Sequence, residues 1–560
     1  GDVYKRQYKN SMKLLIQKAI LANILLFIGY SLSAGEIKIK IDKRYLNIPV
    51  SHKEDRHKMT FEVKGQPALS VVIRLAHDEA DYWVFKDVSN LKGKTLTISY
   101  EGNEKGLSNI YQDDNIKGED NLYKENNRPQ FHFTTQRGWI NDPNGLVYYD
   151  GEYHLFYQHN PFEREWENMH WGHAVSKDLV HWEELTDALY PDHLGGMFSG
   201  SAVIDYGNTA GYNKGDTPAM IVAYTAAGLD KQVQCIAYSL DKGRTFTKYT
   251  NNPVIDSKHI WNSHDTRDPK IFWYNPGSHW VMVLNERDGH SIYTSADLKI
   301  WKYESHVTGF WECPELFELS VDGNSNNKKW VMYGATGTYM LGSFDGKTFI
   351  PESGKYFYTK GSLYAGQTYT NIPDSDGRRI QIAWGRISHP GMPFNGMMLL
   401  PTELTLHTTK EGIRLFSNPI KETKQLFTPL KKWASLTSDK ANDHLKEFRN
   451  AGTLRIKTTF KLSHATSAGI DLFGQRILDY DMNANTINSV FYSPEDRNSM
   501  ELTADIYIDK TSIEVFIDGG IYSYSMERKA AKNNQDGICF WGNNIDIKNL
   551  EIFSVKSIWN

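Results

Sequence analysis

The chain alternates apolar and polar residues with a period of two over most of its length, in short runs separated by Gly, Asn, Asp and Pro. Such patterning predicts β-strands joined by tight turns and hardly any helix. Residues 36–117 open with strict alternation in Ile37-Lys-Ile-Lys-Ile41. They continue through Leu69-Ser-Val-Val-Ile, Tyr82-Trp-Val-Phe and Leu96-Thr-Ile-Ser-Tyr, and read as a β-sandwich-like accessory unit. A polar linker follows. Residues 424–560 return to short strands such as Thr453-Leu-Arg-Ile-Lys-Thr-Thr-Phe460 and Ser512-Ile-Glu-Val-Phe-Ile517, and read as a second, C-terminal β-sandwich.

The segment 128–420 carries a repeat. Ser176-Lys-Asp-Leu-Val-His-Trp182 is echoed by Ser239-Leu-Asp-Lys-Gly-Arg-Thr-Phe246, Ser295-Ala-Asp-Leu-Lys-Ile-Trp301 and Ser343-Phe-Asp-Gly-Lys-Thr-Phe349, with starts 63, 56 and 48 residues apart. Four strands with their loops need about that length, so each repeat reads as one propeller blade. Ser and Asp would close an outer turn, and the aromatic would pack between blades. A fifth blade without the signature fits 362–406, giving an all-β chain built on a five-bladed β-propeller.

The repeat gives four motifs a common phase. Asp142, within Trp139-Ile-Asn-Asp-Pro-Asn-Gly145, lies 34 residues before Ser176. Asp268 lies 27 before Ser295, and Glu312 lies 31 before Ser343. Phe198-Ser-Gly-Ser201 holds the corresponding place ahead of Ser239. This phase is early in the blade, on the innermost strand, so the carboxylates should converge on the propeller axis. Pro143 biases Asp142 toward extended backbone, and Asn144-Gly145 reads as a hairpin turn, which would put Asp142 at a strand end. Convergent carboxylates fit glycosidic bond cleavage, in which one is ionised and another protonated. Arg267 is expected to hold Asp268 ionised. Indoles at Trp139, Trp166, Trp311 and Trp384 are expected to supply apolar walls.

Composition removes other classes. A formal charge of −4 without long single-sign runs gives no nucleic-acid or anionic-membrane footprint. Three dispersed cysteines, Cys235, Cys313 and Cys539, support neither a disulfide framework nor a thiolate metal site. His159, His170, His173 and His264 lack ligand spacing, so no metal and no cofactor is expected. Cys313 is expected to point away from Glu312 on a strand and to serve packing. Met12-Lys-Leu-Leu-Ile-Gln-Lys18, the apolar run from Ala19 to Tyr30 and Ser31-Leu-Ser-Ala34 have the form of a signal peptide. Residues 1–35 are therefore read as a non-native leader plus signal peptide of an exported protein, periplasmic or extracellular and without a membrane span.

Trp139-Ile-Asn-Asp-Pro-Asn-Gly145, Phe156-Tyr-Gln158, Trp166-Glu-Asn-Met-His-Trp-Gly-His173, Phe198-Ser-Gly-Ser201, Arg267-Asp-Pro269 and Glu312-Cys-Pro314 occur in order. Together they resemble glycoside hydrolase family 32, the invertases, inulinases and levanases, with Ile140 where Met is usual. The N-terminal unit is outside that core and looks like an extension on some gut-bacterial fructanases. The resemblance implies retaining cleavage of β-fructosidic bonds, with Asp142 as nucleophile and Glu312 as acid and base. Asp268 would bind sugar hydroxyls and steady the transition state. Asn141, Gln158, Trp166, Phe198, Ser199, Arg267 and Trp384 match positions lining the fructose pocket. Exo-release of fructose from levan or inulin, and from sucrose, is the reading favoured. An endo-levanase, a fructosyltransferase, an inverting arabinanase or xylosidase and a non-catalytic fructan-binding protein are the alternatives. Linkage preference and oligomeric state are not written in these motifs.

Overall fold

The computed structural model describes residues 35–257, 261–462, 466–491, 501–530, 537–542 and 544–559. The expected signal segment lies outside them. The described chain is all-β in class, and its helix Ser438–Leu445 is capped by the Thr437 hydroxyl accepting from the Lys440 amide. Among the described residues no helix is long and apolar enough to cross a membrane.

At the start, a four-stranded sheet runs in the order Gly35–Lys40, Thr95–Tyr100, His57–Val63, Leu69–Ile73. A three-stranded sheet, Tyr82–Asp87, Tyr45–Val50, Tyr111–Asp113, accompanies it. Alternation explains the pairing: Leu96, Ile98 and Tyr100 face one shared core with Ile48, Val50 and Val84, while Thr95, Thr97 and Ser99 face outward. Phe162, far along the chain, completes this core.

Antiparallel meanders follow. The first contains Gly138–Tyr149, Glu152–Asn160, His170–Ser176 and Glu183–Leu189. The second contains Gly196–Asp205, Ala219–Ala227, Gln232–Ser239 and Thr247–Lys248. The third contains Thr266–Tyr274, His279–Glu286, Gly289–Ser295 and Lys302–Thr308. Next comes a nine-stranded sheet. In it the meander from Glu315–Val321 to Phe349–Phe357 joins strands Leu363–Thr368, Arg379–Gly385, Thr402–Thr409 and Gly412–Pro419 through a single parallel pair, Val321 with Leu406. The chain then returns to its first meander: Phe394–Asn395 pairs in parallel with Gly138 and Trp139, and the Thr370 amide donates to the Leu146 carbonyl at 3.0 Å. The Ser and Asp of the repeat close the turn after the third strand, as where Asp178 Oδ1 accepts from the amides of Val180 and His181. Phe246 packs edge-on against Phe156 of the preceding meander, ring centroids 5.7 Å apart.

Two further sheets, of seven and five strands, enclose a core including Ile456, Phe460, Ile470, Leu478, Ile506, Val515 and Ile547. The seven-stranded sheet takes its edge strand, Thr359–Gly361, from within the meander region, paired in parallel with Ser523–Ser525. Buried polar groups join the two regions. His132 lies between Asp509 (Nδ1 to Oδ2, 2.7 Å) and Glu514 (Nε2 to Oε1, 2.7 Å). Burial alone would lower the His132 pKa, but the hydrogen bonds and charges of Asp509 and Glu514 raise it from 6.5 to about 9.

Because the folded value is raised, this contribution to stability is complete below the unfolded value of 6.5 and is lost as pH climbs through about 9. Thermal melting between those limits should show a falling Tm that His132→Gln loses. Parallel pH profiles for the two proteins would contradict the assignment.

Candidate active site

The expected hairpin turn at Asn144-Gly145 is instead a pair of bulges inside Gly138–Tyr149; the hairpin turns later, at Asp150-Gly151. The register shifts between Ile140 and Pro143 and again between Asn144 and Val147. Two local features account for this. Pro143 offers no amide to the ladder, and Gly145 takes φ +53° where a Cβ would lie 2.7 Å from the Phe156 ring. Asp142 thus sits within a strand, on a stretch whose side chains are re-aimed.

The same device recurs. Registers shift between Phe198 and Gly200, between Arg267 and Lys270, and between Tyr364 and Gln367. Ahead of Glu315–Val321, Glu312 and Cys313 adopt left-handed φ of 49° and 44°, and Asp268 adopts 66°. Each is a costly backbone for a residue with a side chain. The first strands of successive meanders therefore break regularity at one common level, and the carboxylates meet there.

Asp142 accepts hydrogen bonds from Ser199 Oγ to Oδ2 at 2.7 Å and from Asn141 Nδ2 to Oδ1 at 3.2 Å. Asp268 Oδ2 accepts from the Cys313 amide at 2.9 Å, and the Asp268 amide donates to Thr225 Oγ1 at 3.0 Å. Glu312 Oε1 accepts from Arg267 Nη2 at 2.5 Å, its Oε2 accepts from the Tyr364 hydroxyl, and its amide donates to Asn285 Oδ1 at 2.8 Å. Cys313 Sγ lies 3.6 Å from both Asp142 Oδ2 and Asp268 Oδ2. The expectation that Cys313 sits on a strand and serves packing fails: 312–313 is a left-handed turn, and the thiol faces Asp142 and Asp268.

Arg267 departs from expectation too. Its guanidinium contacts Glu312, Asp265 and Gln232 Oε1 (3.2 Å) and lies 5.5 Å over the Trp311 ring. Its charge does favour ionised Asp268, but burial outweighs it, and with the charges of Asp142 and Glu312 the Asp268 pKa rises to about 7. Burial likewise pushes Asp142 up, with Glu312 adding to the rise, against the bonds from Ser199 and Asn141. Packed side by side, these acids resist full ionisation without substrate.

The aromatic side chains meet in pairs. Trp139 Nε1 donates to Asn141 Oδ1 at 2.8 Å, and Trp139 meets Trp384 edge-on at 5.9 Å. Trp166, half exposed, meets Phe198 edge-on at 5.9 Å. Gln158 is buried, with Nε2 donating to the Met197 carbonyl at 2.9 Å. Among the histidines considered as ligands, His159 binds Asp187 and His173 binds His154, both as buried structural pairs. Sequence reasoning missed Tyr364, Asn285, Thr225 and Asp265. Tyr364 had a signal, since it begins the strand-like run before Arg379-Ile-Gln-Ile-Ala-Trp384 at the phase of the other motifs.

Residues 132–419 match the model of the glycosyl hydrolases family 32 N-terminal domain, more than half of the chain. The chain belongs to glycosyl hydrolase family 32. It is 38% identical to a levanase of Bacillus subtilis over 78% of this chain and 71% of that protein. It is 32% identical to an extracellular exo-inulinase of Aspergillus niger, over 77% of this chain and 95% of the other. Among solved structures it resembles an exo-inulinase from Aspergillus awamori with a TM-score of 0.67 at 27% identity, covering 78% of this chain and all of that one. This glycoside hydrolase thus carries its acids on the segment the family shares.

An aspartate whose folded pKa is about 7 against 3.8 unfolded costs stability increasingly as pH rises through that interval. Asp268→Asn removes this cost. The variant should melt higher than the parent at pH 8, with the gap closing toward pH 4, while turnover collapses. An equal or lower Tm at pH 8 would contradict the burial argument.

Proposed function

We propose that this glycoside hydrolase releases terminal fructose from levan or inulin, and from sucrose, by a retaining double displacement. An Asp142 carboxylate oxygen bonds the anomeric carbon of the fructosyl unit as the glycosidic oxygen departs with a proton from Glu312. Water then donates a proton to Glu312 and attacks the same carbon, freeing fructose and restoring both groups. Asp268 accepts sugar hydroxyls, with Asn141, Ser199, Arg267 and the walls of Trp166, Phe198 and Trp384 completing the pocket. Gln158 would act from behind, through the backbone at Met197.

One observation carries this reading. Asp142 and Glu312 stand in one cluster but are held by separate donors, Asn141 and Ser199 on one side, Arg267 and Tyr364 on the other, so each carboxylate is oriented independently of the other. The relatives support the substrate class: they include proteins named levanase, exo-inulinase and invertase. Extracellular relatives support export. We further read the nine-stranded sheet as two blades, making five around one axis within 128–420, flanked by units at 36–117 and 424–560.

Purified protein incubated with levan, inulin and sucrose should yield fructose alone from the earliest time on chromatography. A ladder of oligosaccharides would mean endo attack, and longer products built from sucrose would mean fructosyl transfer. Asp142→Ala and Glu312→Ala should each lower kcat by roughly 10²–10⁴-fold or more with the fold intact. Near-parental turnover in either would contradict the assigned roles.

A further inference from the structure

Between the second and third strands of the first meander runs Phe162-Glu-Arg-Glu-Trp-Glu-Asn168, and the N-terminal unit grips it along its whole length. At one end Phe162 is inserted into the core of that unit, 5.7 Å from the Phe61 ring. At the other end Asn168 pairs like a strand residue with Val72: its Oδ1 accepts from the Val72 amide and its Nδ2 donates to the Val72 carbonyl, both at 2.8 Å. Between them, Glu163 is fully buried and meets Arg56 at 2.6 Å, Arg74 at 3.0 Å and the Arg74 amide at 2.7 Å. Glu165 meets Arg56 at 3.0 Å and Arg74 at 3.2 Å, and Glu167 lies 3.9 Å from Arg56.

The three acids of the segment thus face one arginine pair, while Arg164 and Trp166 turn the other way. Arg164 Nη2 donates to the His389 carbonyl at 2.7 Å. Trp166 reaches Phe198, whose neighbour Ser199 holds Asp142. Two exposed carboxylates in a free loop gain little from surface pairing. A buried Glu163 shared by two guanidiniums and a backbone amide is a different case, because losing the arginines leaves a buried charge.

We infer that the N-terminal unit sets substrate affinity by clamping the Trp166 loop, with Arg56 and Arg74 as positioning residues that touch no substrate. The inference rests on Trp166 lining the sugar pocket, as proposed above. It gives the unit a role in the shape of the pocket mouth rather than a sugar site of its own. The acids of the reaction lie on other segments, so the clamp is expected to act on KM rather than on kcat.

The test is a double-mutant cycle on the full chain, with inulin and sucrose as substrates. R56A/R74A should raise KM by about three- to tenfold with kcat within about twofold, and should add nothing further in a W166A background. R56K/R74K should recover most of the affinity. N168A, which removes the two bonds to Val72 and one to Asn160 Oδ1 but leaves both arginines in place, should show the same split at smaller amplitude and guards against a double variant that does not fold. An unchanged KM in both R56A/R74A and N168A, or an equal rise with Trp166 absent, overturns the clamp alone. A W166A protein with parental KM and kcat overturns the inference by removing the pocket role it rests on.

Discussion

One buried ion pair ties the acid-bearing strands together. Lys270 Nζ lies 2.7 Å from Glu315 Oε1 and donates to the Thr368 carbonyl at 2.6 Å, and the Thr368 hydroxyl and amide donate to Glu315 at 2.6 and 3.0 Å. Lys270 follows Asp268 by two residues, Glu315 follows Glu312 by three, and Thr368 follows Tyr364 by four. Burial lowers the Lys270 pKa while Glu315 pulls it back. Such a pair is a weak source of net stability, since matched apolar groups would do as well, but breaking it costs about 3–5 kcal/mol. Its value is registry. Three strands from different parts of the chain can meet at only one offset, and that offset sets where Asp268, Glu312 and Tyr364 stand.

Neighbouring bonds extend the same lock. Ser201 Oγ donates to the Pro269 carbonyl at 2.7 Å and accepts from the Ile271 amide at 2.9 Å. Gln367 accepts from the Leu146 amide at 2.9 Å and donates to the Gly200 carbonyl at 3.0 Å. This rigid floor allows the level above it to be irregular. Bulges and left-handed residues cost roughly 1–3 kcal/mol each where a side chain is present, and they persist only where surroundings over-determine them. Here the irregular level is the one that gathers Asp142, Asp268, Glu312 and Cys313.

Period-two patterning and the Ser-Asp-aromatic repeat made the strands and outer turns legible, because both follow from local chemistry that repeats. The common phase of Asp142, Asp268 and Glu312 made their convergence legible as well. The irregularities were not. Asn144-Gly145 has the composition of a hairpin turn, and only the cross-strand register reveals a bulge. Cys313 was read as a strand residue because nothing in Trp311-Glu-Cys-Pro314 announces two consecutive left-handed residues. Arg267 next to Asp268 in sequence suggested an ion pair, yet the left-handed backbone at Asp268 and the register shift there aim the two side chains separately, and the guanidinium reached Glu312 instead. The grip of Arg56 and Arg74 on Glu163 joins residues about a hundred positions apart, with no periodicity to betray it.

The central claim is that Asp142, and not another member of this acid cluster, bonds the sugar. The most direct measurement is mass spectrometry of a Glu312→Gln protein quenched during turnover of an activated fructoside, followed by peptide mapping. The account predicts one added fructosyl residue on the peptide containing Asp142. An unmodified protein, together with an NMR time course showing inverted fructose as the first product of the parent enzyme, would contradict it.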